Sequence, residues 1–290
     1  PDLSMAEVAY SDKGRMTLIG EVRPYSKMES ANNKITDESV FLVSGGAKGV
    51  TAACIMPLAE KHHCRFILAG RAPYTGVEPD WAKGCNDDTE LKRKIMEALK
   101  ADGEMPTPVL VNKRLRAIKS EREIGKTLQK IADLGGQAEY ISADVTNSTA
   151  LKEKAAPAIK KLGKITGLIH GAGVLADKPI HKKTEKDFDM VINTKIDGLE
   201  AMLSLVDKES LQYLVMFSSA AGFYGNNGQS DYSVANEILN KTAYQFRHYY
   251  PQCHVVSFNW GPWDGGMVTP ELKRYFKERN VEIIPIEEGV

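Results

Sequence analysis

Phe217-Ser-Ser-Ala-Ala-Gly-Phe-Tyr-Gly-Asn-Asn-Gly-Gln-Ser-Asp-Tyr-Ser-Val-Ala-Asn236 is the stretch on which the reading of this chain turns. The apolar run leading into it, Leu211 to Phe217, has the length and composition of a buried strand. It ends in a serine pair, crosses a Gly/Asn-rich loop and enters a helix carrying Tyr232 and Asn236. Positions i and i+4 share one helical face. A phenol and an amide are therefore expected on one side, beside the Ser219 hydroxyl at a strand's C-terminal end. Open α/β sheets bind their ligands at that edge.

Outward from this stretch the chain alternates strand and helix. Val40–Ser44, Arg65–Ala69, Ala138–Ser142, Ile165–Ile169, Leu211–Phe217 and His254–Asn259 read as strands, with Val281–Ile284 as a candidate seventh. Helices are expected over Val50–Lys61, Asn147–Leu162, Glu185–Val206 and Asp231–Tyr249. Pro57 must kink the first of these or sit near its first turn. This alternation implies an α/β fold, a Rossmann-type doubly wound parallel sheet. Residues 1–36 read as an N-terminal extension or linker, with Met16–Val22 a short-strand candidate, and residues 37–290 as one domain. The rhythm breaks after the second strand. There Asp87–Lys100 and Pro108–Lys119 read as two helices of an insertion over about residues 74–120. Lys113, Arg114, Arg116 and Lys119 give its second helix a basic side, either a solvated face or a dock for an acidic partner. Pro270–Arg279 reads as a short charged helix within a lid over about residues 267–280.

Composition bounds the function. Lys plus Arg number 38 and Asp plus Glu 38 in 290 residues, so no global field favours nucleic acid. No apolar run approaches the length of a membrane span. The start, Pro1-Asp-Leu-Ser, has no basic-then-apolar leader and no Met, which suggests a piece of something longer or a processed chain. Cys54, Cys64, Cys85 and Cys253 form neither a metal pattern nor a disulfide framework and fit a cytoplasmic setting. The six histidines show no metal spacing, so no metal is expected.

A second motif joins the first strand to the first helix: Val43-Ser-Gly-Gly-Ala-Lys-Gly-Val-Thr51. Glycines there let the backbone approach a pyrophosphate, and the helix N-terminus favours the anion. The second strand ends Leu68-Ala-Gly-Arg71, with no carboxylate in the turn where an NAD binder holds its ribose. Arg71 instead offers a planar cationic fork suited to a phosphate. The third strand runs into Asp144-Val145 and the fourth into His170-Gly-Ala-Gly-Val-Leu-Ala-Asp177. The sixth runs into Asn259-Trp-Gly-Pro-Trp-Asp-Gly-Gly-Met267.

Taken together these motifs resemble the short-chain dehydrogenase/reductases, whose active-site Ser precedes the Tyr by thirteen residues, as Ser219 precedes Tyr232 here. Most members carry Lys four residues after the Tyr, where this chain has Asn236. A Tyr that moves a proton near neutral pH needs a cation nearby, and Lys195 in Asn193-Thr-Lys-Ile-Asp-Gly198 is the candidate. That exchange of Lys and Asn is the pattern of ketoreductase domains in polyketide and fatty-acid megasynthases. The glycine loop, the insertion with Trp81-Ala-Lys-Gly84 and Pro106-Thr-Pro108, and Gly265-Gly-Met-Val-Thr-Pro270 look like the ketoreductase domains of polyunsaturated fatty acid synthases.

The resemblance implies NADPH-dependent reduction of 3-ketoacyl thioesters, presented by acyl carrier protein domains within a larger synthase. It implies catalytic roles for Ser219, Tyr232, Lys195 and Asn236. The cofactor would lie on Ser44, Gly45, Gly46, Lys48, Gly49, Val50, Arg71, Asp144, Val145, Gly171, Ala172, Gly173, Gly261, Pro262 and Trp263, as well as Tyr232 and Lys195. Substrate would meet Asp177, Tyr224 and Met267, and a 3R alcohol is expected because Asp177 stands at a position that accompanies that outcome. His170 is expected to be structural. Two other readings stay open: a free-standing short-chain oxidoreductase on a small carbonyl, and a non-catalytic structural domain.

Overall fold

The computed structural model describes residues 8–21, 35–266 and 268–290. Its centre is β3 (Val40–Ser44), buried along its whole length. β4 (Arg65–Gly70) and β5 (Gln137–Ser142) lie to one side; β6 (Gly167–His170), β7 (Tyr213–Ser219) and β8 (His254–Trp260) lie to the other. All pairings in this sheet of order β5-β4-β3-β6-β7-β8 are parallel. The chain order reverses between β3 and β6, and a crevice opens at the strands' C-terminal ends at such a switch point.

Side chains alternate across a strand, and β3 divides them between two cores. Val40 and Leu42 pack with Leu151, Leu168, Leu199, Leu214 and Leu239. Those residues come from the sheet and from α4 (Ser148–Leu162), α5 (Glu185–Leu203) and α7 (Ser230–Tyr249). Phe41 and Val43 pack on the other face with Ile55, Phe66, Leu68, Ile124 and Ile131. Here the cover is α1 (Gly49–His62) and α3 (Pro108–Asp133). No described helix is long and apolar enough to cross a membrane.

Three local expectations are corrected, and for Pro57 the first-turn alternative is set aside. The second insertion helix does not stop at Lys119; α3 runs 26 residues to Asp133. Leu115, Ile118, Ile124, Thr127 and Ile131 keep one face buried throughout, and Gly125 lies mid-helix against Tyr74. The insertion is thus the front half of a core helix, on which α2 (Asp88–Ala101) packs through Leu91, Ile95 and Leu99. Pro57 sits mid-helix in α1, on its exposed side. Among the described residues Val281–Ile284 forms no strand and makes one bridge, Ile284 to Trp263, before Pro285. Near the N-terminus the strand pair is β1 (Ala9–Ser11) with β2 (Gly14–Met16), earlier than Met16–Val22, whose last residue lies outside the described part.

Candidate active site

The C-terminal edge of the sheet holds a cleft of about 1360 Å³. It gathers Gly45, Lys48, Gly49, Val50, Arg71, Asp144, Val145, Gly171 to Gly173, Asp177, Lys195, Ser219, Tyr224, Tyr232 and Gly261 to Trp263. Residues from both ends of the domain thus line one space. Ser44, Gly46 and Asn236 are buried behind its wall, and Met267 lies outside the described residues.

β7 and the helices beside it place the polar groups. Ser219 ends β7 and caps the short helix α6 (Ala220–Tyr224), accepting the Ala221 N–H at 3.1 Å. Its oxygen is engaged as an acceptor, so its hydrogen is left to donate into the cleft. Lys195 is 4% exposed, and its ammonium donates to the Phe217 carbonyl at 2.6 Å. Burial pushes this lysine down to about 8. The Tyr232 phenol is raised by its own burial; Asn236 and Ser219 side chains pull it back, and the Asp177 charge adds to the rise. Asn236 itself orders the helix: its Nδ2 donates to the Tyr232 carbonyl at 2.8 Å, and the Asn236 carbonyl accepts from Ser218 Oγ at 3.0 Å.

His170 ties this group to the glycine loop. Its Nε2 lies 2.9 Å from the Lys195 carbonyl, an acceptor only, so Nε2 carries the proton. Nδ1 therefore accepts, and the Ser44 hydroxyl 2.8 Å away donates to it. Ser44 Oγ in turn accepts the Ala172 N–H at 3.1 Å. Full burial, with the Lys195 charge as a lesser cause, drives the imidazole down to about 3, so it stays neutral.

The glycine loop has the shape an anionic group needs. Gly45 has φ +70°, and a Cβ there would lie 3.2 Å from the Ala172 nitrogen. Gly49, at φ +61°, opens α1, whose first turn carries no acid. Thr51, in place of a third glycine, is accommodated from the other side: a Cβ on Gly171 would come within 2.3 Å of its Oγ1. The exposed Arg71 and the half-buried Lys48 face the same cleft. Asp144 accepts from the Thr146 N–H and hydroxyl, while Asn147 caps α4.

Sequence reasoning missed what α3 brings here. Glu123 accepts the Gly49 N–H at 2.9 Å, and Ser120 accepts from Lys48 Nζ at 2.7 Å. Only the i, i+3 spacing on a helix continuing past Lys119 could have signalled it. At the mouth, Asp177 accepts from Gln229 Nε2 at 2.9 Å, and Tyr224 is 76% exposed. Leu272 and Phe276 of α8 (Pro270–Glu278) line the cleft above, with Lys273 paired to Asp264. Trp263 is buried edge-on to Trp260 at 4.9 Å, so it anchors the loop as well as lining the cleft.

A family model described as the KR domain matches residues 39–265. One polyunsaturated fatty acid synthase polypeptide of Thraustochytrium sp. is 40% identical over 263 residues, which are 88% of this chain and 9% of that protein. This chain therefore spans about a tenth of that relative's length. Among solved structures, an N-terminal ketoreductase from the macrolactin assembly line matches with a TM-score of 0.64 at 24% identity. That match covers 88% of this chain and 41% of the other. A blue fluorescent protein from a metagenomic library, in complex with NADPH, matches at TM-score 0.60 and 15% identity, covering 86% and 85%.

Proposed function

The chain belongs to the KR-domain family, and from that premise we propose that it reduces 3-ketoacyl thioesters, held on acyl carrier protein domains, to 3R-hydroxyacyl thioesters with NADPH. The observation that carries this reading is the meeting of Ser219, Tyr232 and Lys195 in the cleft that also receives the glycine loop and Arg71. The loop fits a dinucleotide, because the side-chain-free Gly45 leaves backbone room for a pyrophosphate at the N-terminus of α1, whose first N–H the Glu123 carboxylate takes in its place here. Gly45, Val50 and Gly171 to Gly173 would hold its backbone, Asp144 and Val145 its adenine, and Gly261 to Trp263 its nicotinamide. Arg71 and Lys48 would hold the phosphate that distinguishes NADPH from NADH.

When bound, NADPH supplies a hydride to the substrate's 3-keto carbon. Ser219 donates a hydrogen bond to the carbonyl oxygen as negative charge develops on it. Tyr232 gives that oxygen its proton. Lys195, charged below about 8, favours the tyrosinate that remains. Asn236 keeps the Tyr232 turn of α7 in place through its bond to the Tyr232 carbonyl. Proton donation contributes on the order of 100- to 10,000-fold, and positioning supplies much of the rest. The cytoplasm, where carrier domains and NADPH meet, is the proposed setting.

The test is NADPH consumption with 3-ketoacyl thioesters, free and carrier-bound, for the wild-type chain and Tyr232→Phe. Turnover favouring the carrier-bound form and lost in the variant is expected. Equal rates on unrelated small ketones would instead mark a free-standing reductase, and an inert wild type a structural domain.

A further inference from the structure

The segment after β6 carries Asp177 to the mouth of the cleft, and it is fastened to the start of α7 by an ion pair. Lys183 Nζ lies 2.7 Å from Asp231 Oδ2, with side chains 5% and 0% exposed. The same ammonium donates to the Ala176 carbonyl at 2.8 Å, next to Asp177. Asp231 Oδ1 accepts the Tyr232 N–H at 2.8 Å. One buried cation therefore spans from the residue before Asp177 to the residue before Tyr232. Two more bonds cross the same gap: Lys178 N–H to the Gly228 carbonyl at 2.9 Å, and Gln229 Nε2 to Asp177 at 2.9 Å.

Stability is a weak reason for such a pair. Desolvating two charges costs several kcal/mol per ion, and a well-packed apolar pair often serves as well. What an ion pair adds is direction and a fixed distance, and this one fixes the distance between a substrate wall and the proton donor. Neither Lys183 nor Asp231 lines the cleft. We propose that Lys183 and Asp231 are positioning residues that set the Asp177 rim against the Tyr232 phenol, and so set how the keto group is presented. The inference rests on the ketoreductase reading above.

The test compares wild type with Lys183→Met/Asp231→Asn, which removes both charges and leaves none buried alone. A folded double variant should bind NADPH with an unchanged Kd, lose about tenfold or more in kcat, and give a product of eroded enantiomeric ratio. Merely structural residues would shift the melting temperature alone. If the double variant does not fold, Lys183→Gln/Asp231→Asn carries the same test, because it too leaves no charge buried alone and keeps an acceptor for the Tyr232 N–H. Wild-type kcat and enantiomeric ratio in a folded variant overturn the inference. A wild type inert toward every 3-ketoacyl thioester overturns the ketoreductase reading, and the inference falls with it.

Discussion

Lys195 Nζ donates to the carbonyl of Phe217 at 2.6 Å, so a buried ammonium is clasped by the strand that presents Ser219. The lysine is at once the cation the proposed chemistry calls for and a group the interior disfavours. Substitution by Met should separate the two roles. Lys195→Met is expected to lose at least about 100-fold in kcat, the lower range for acid–base assistance. It should also melt no lower than wild type, because burial of the charge is removed. Calorimetry alongside steady-state rates checks both, and near-normal turnover in the variant would place the cation elsewhere.

The same lysine predicts a pH signature. Its folded value, about 8, lies below the ordinary 10.5. Below 8 both states hold the proton, and the burial cost is fully present. Between 8 and 10.5 the unfolded chain holds more protons, so stability rises with pH across that window. Reductive turnover should fall over the same window as the charge is lost. Melting curves and rates measured from about pH 7 to 10.5 should therefore diverge, and Lys195→Met should lack the stability rise.

In the proposed reading, Arg71 bears on cofactor choice. A charged hydrogen bond to phosphate is worth about 1.5–3 kcal/mol, so Arg71→Ala should raise KM for NADPH by about 10- to 100-fold. NADH, lacking that phosphate, should be affected little. Parallel changes for both would remove Arg71 from the phosphate's surroundings.

Glu123 is expected to act in the opposite sense. Its carboxylate takes the Gly49 N–H at the opening of α1, where a helix favours an anion. A bound dinucleotide brings its own phosphates to this end. Glu123→Gln keeps an acceptor and drops the charge, and should tighten NADPH binding several-fold by titration calorimetry. Weaker binding would show that the carboxylate orders the loop rather than competing with the ligand.

Product handedness tests the rim. Asp177, held by Gln229, stands at the mouth, while position 224 bears an exposed Tyr. Chiral chromatography of the reduced thioester is expected to give mainly the 3R alcohol, and a mainly 3S product would mean these residues do not steer entry.

Local patterns made much of this legible. The six main strands fall within a few residues of their expected positions, because apolar runs bounded by glycines are short-range signals. Lys195 could be singled out because Asn236 left the usual place empty of charge, and the structure sets it on another helix, lining the same cleft as Tyr232. Long-range contacts could not be read. Glu123 meets Gly49 across 74 residues, and Lys183 meets Asp231 from a different element. Gly125 is a residue that ordinarily weakens a helix, yet Tyr74 packs against it and α3 continues.

The imidazole of His170 joins Ser44, at the head of the glycine loop, to the backbone of Lys195. Because the ring stays neutral down to about 3, mild acid does not undo the link. In the proposed reaction, cofactor grip and proton chemistry are thus mechanically one part. Anyone redesigning this loop for a different nucleotide by altering Ser44 would retune turnover as well, whereas changes at Arg71, away from the ring, leave the two adjustable separately.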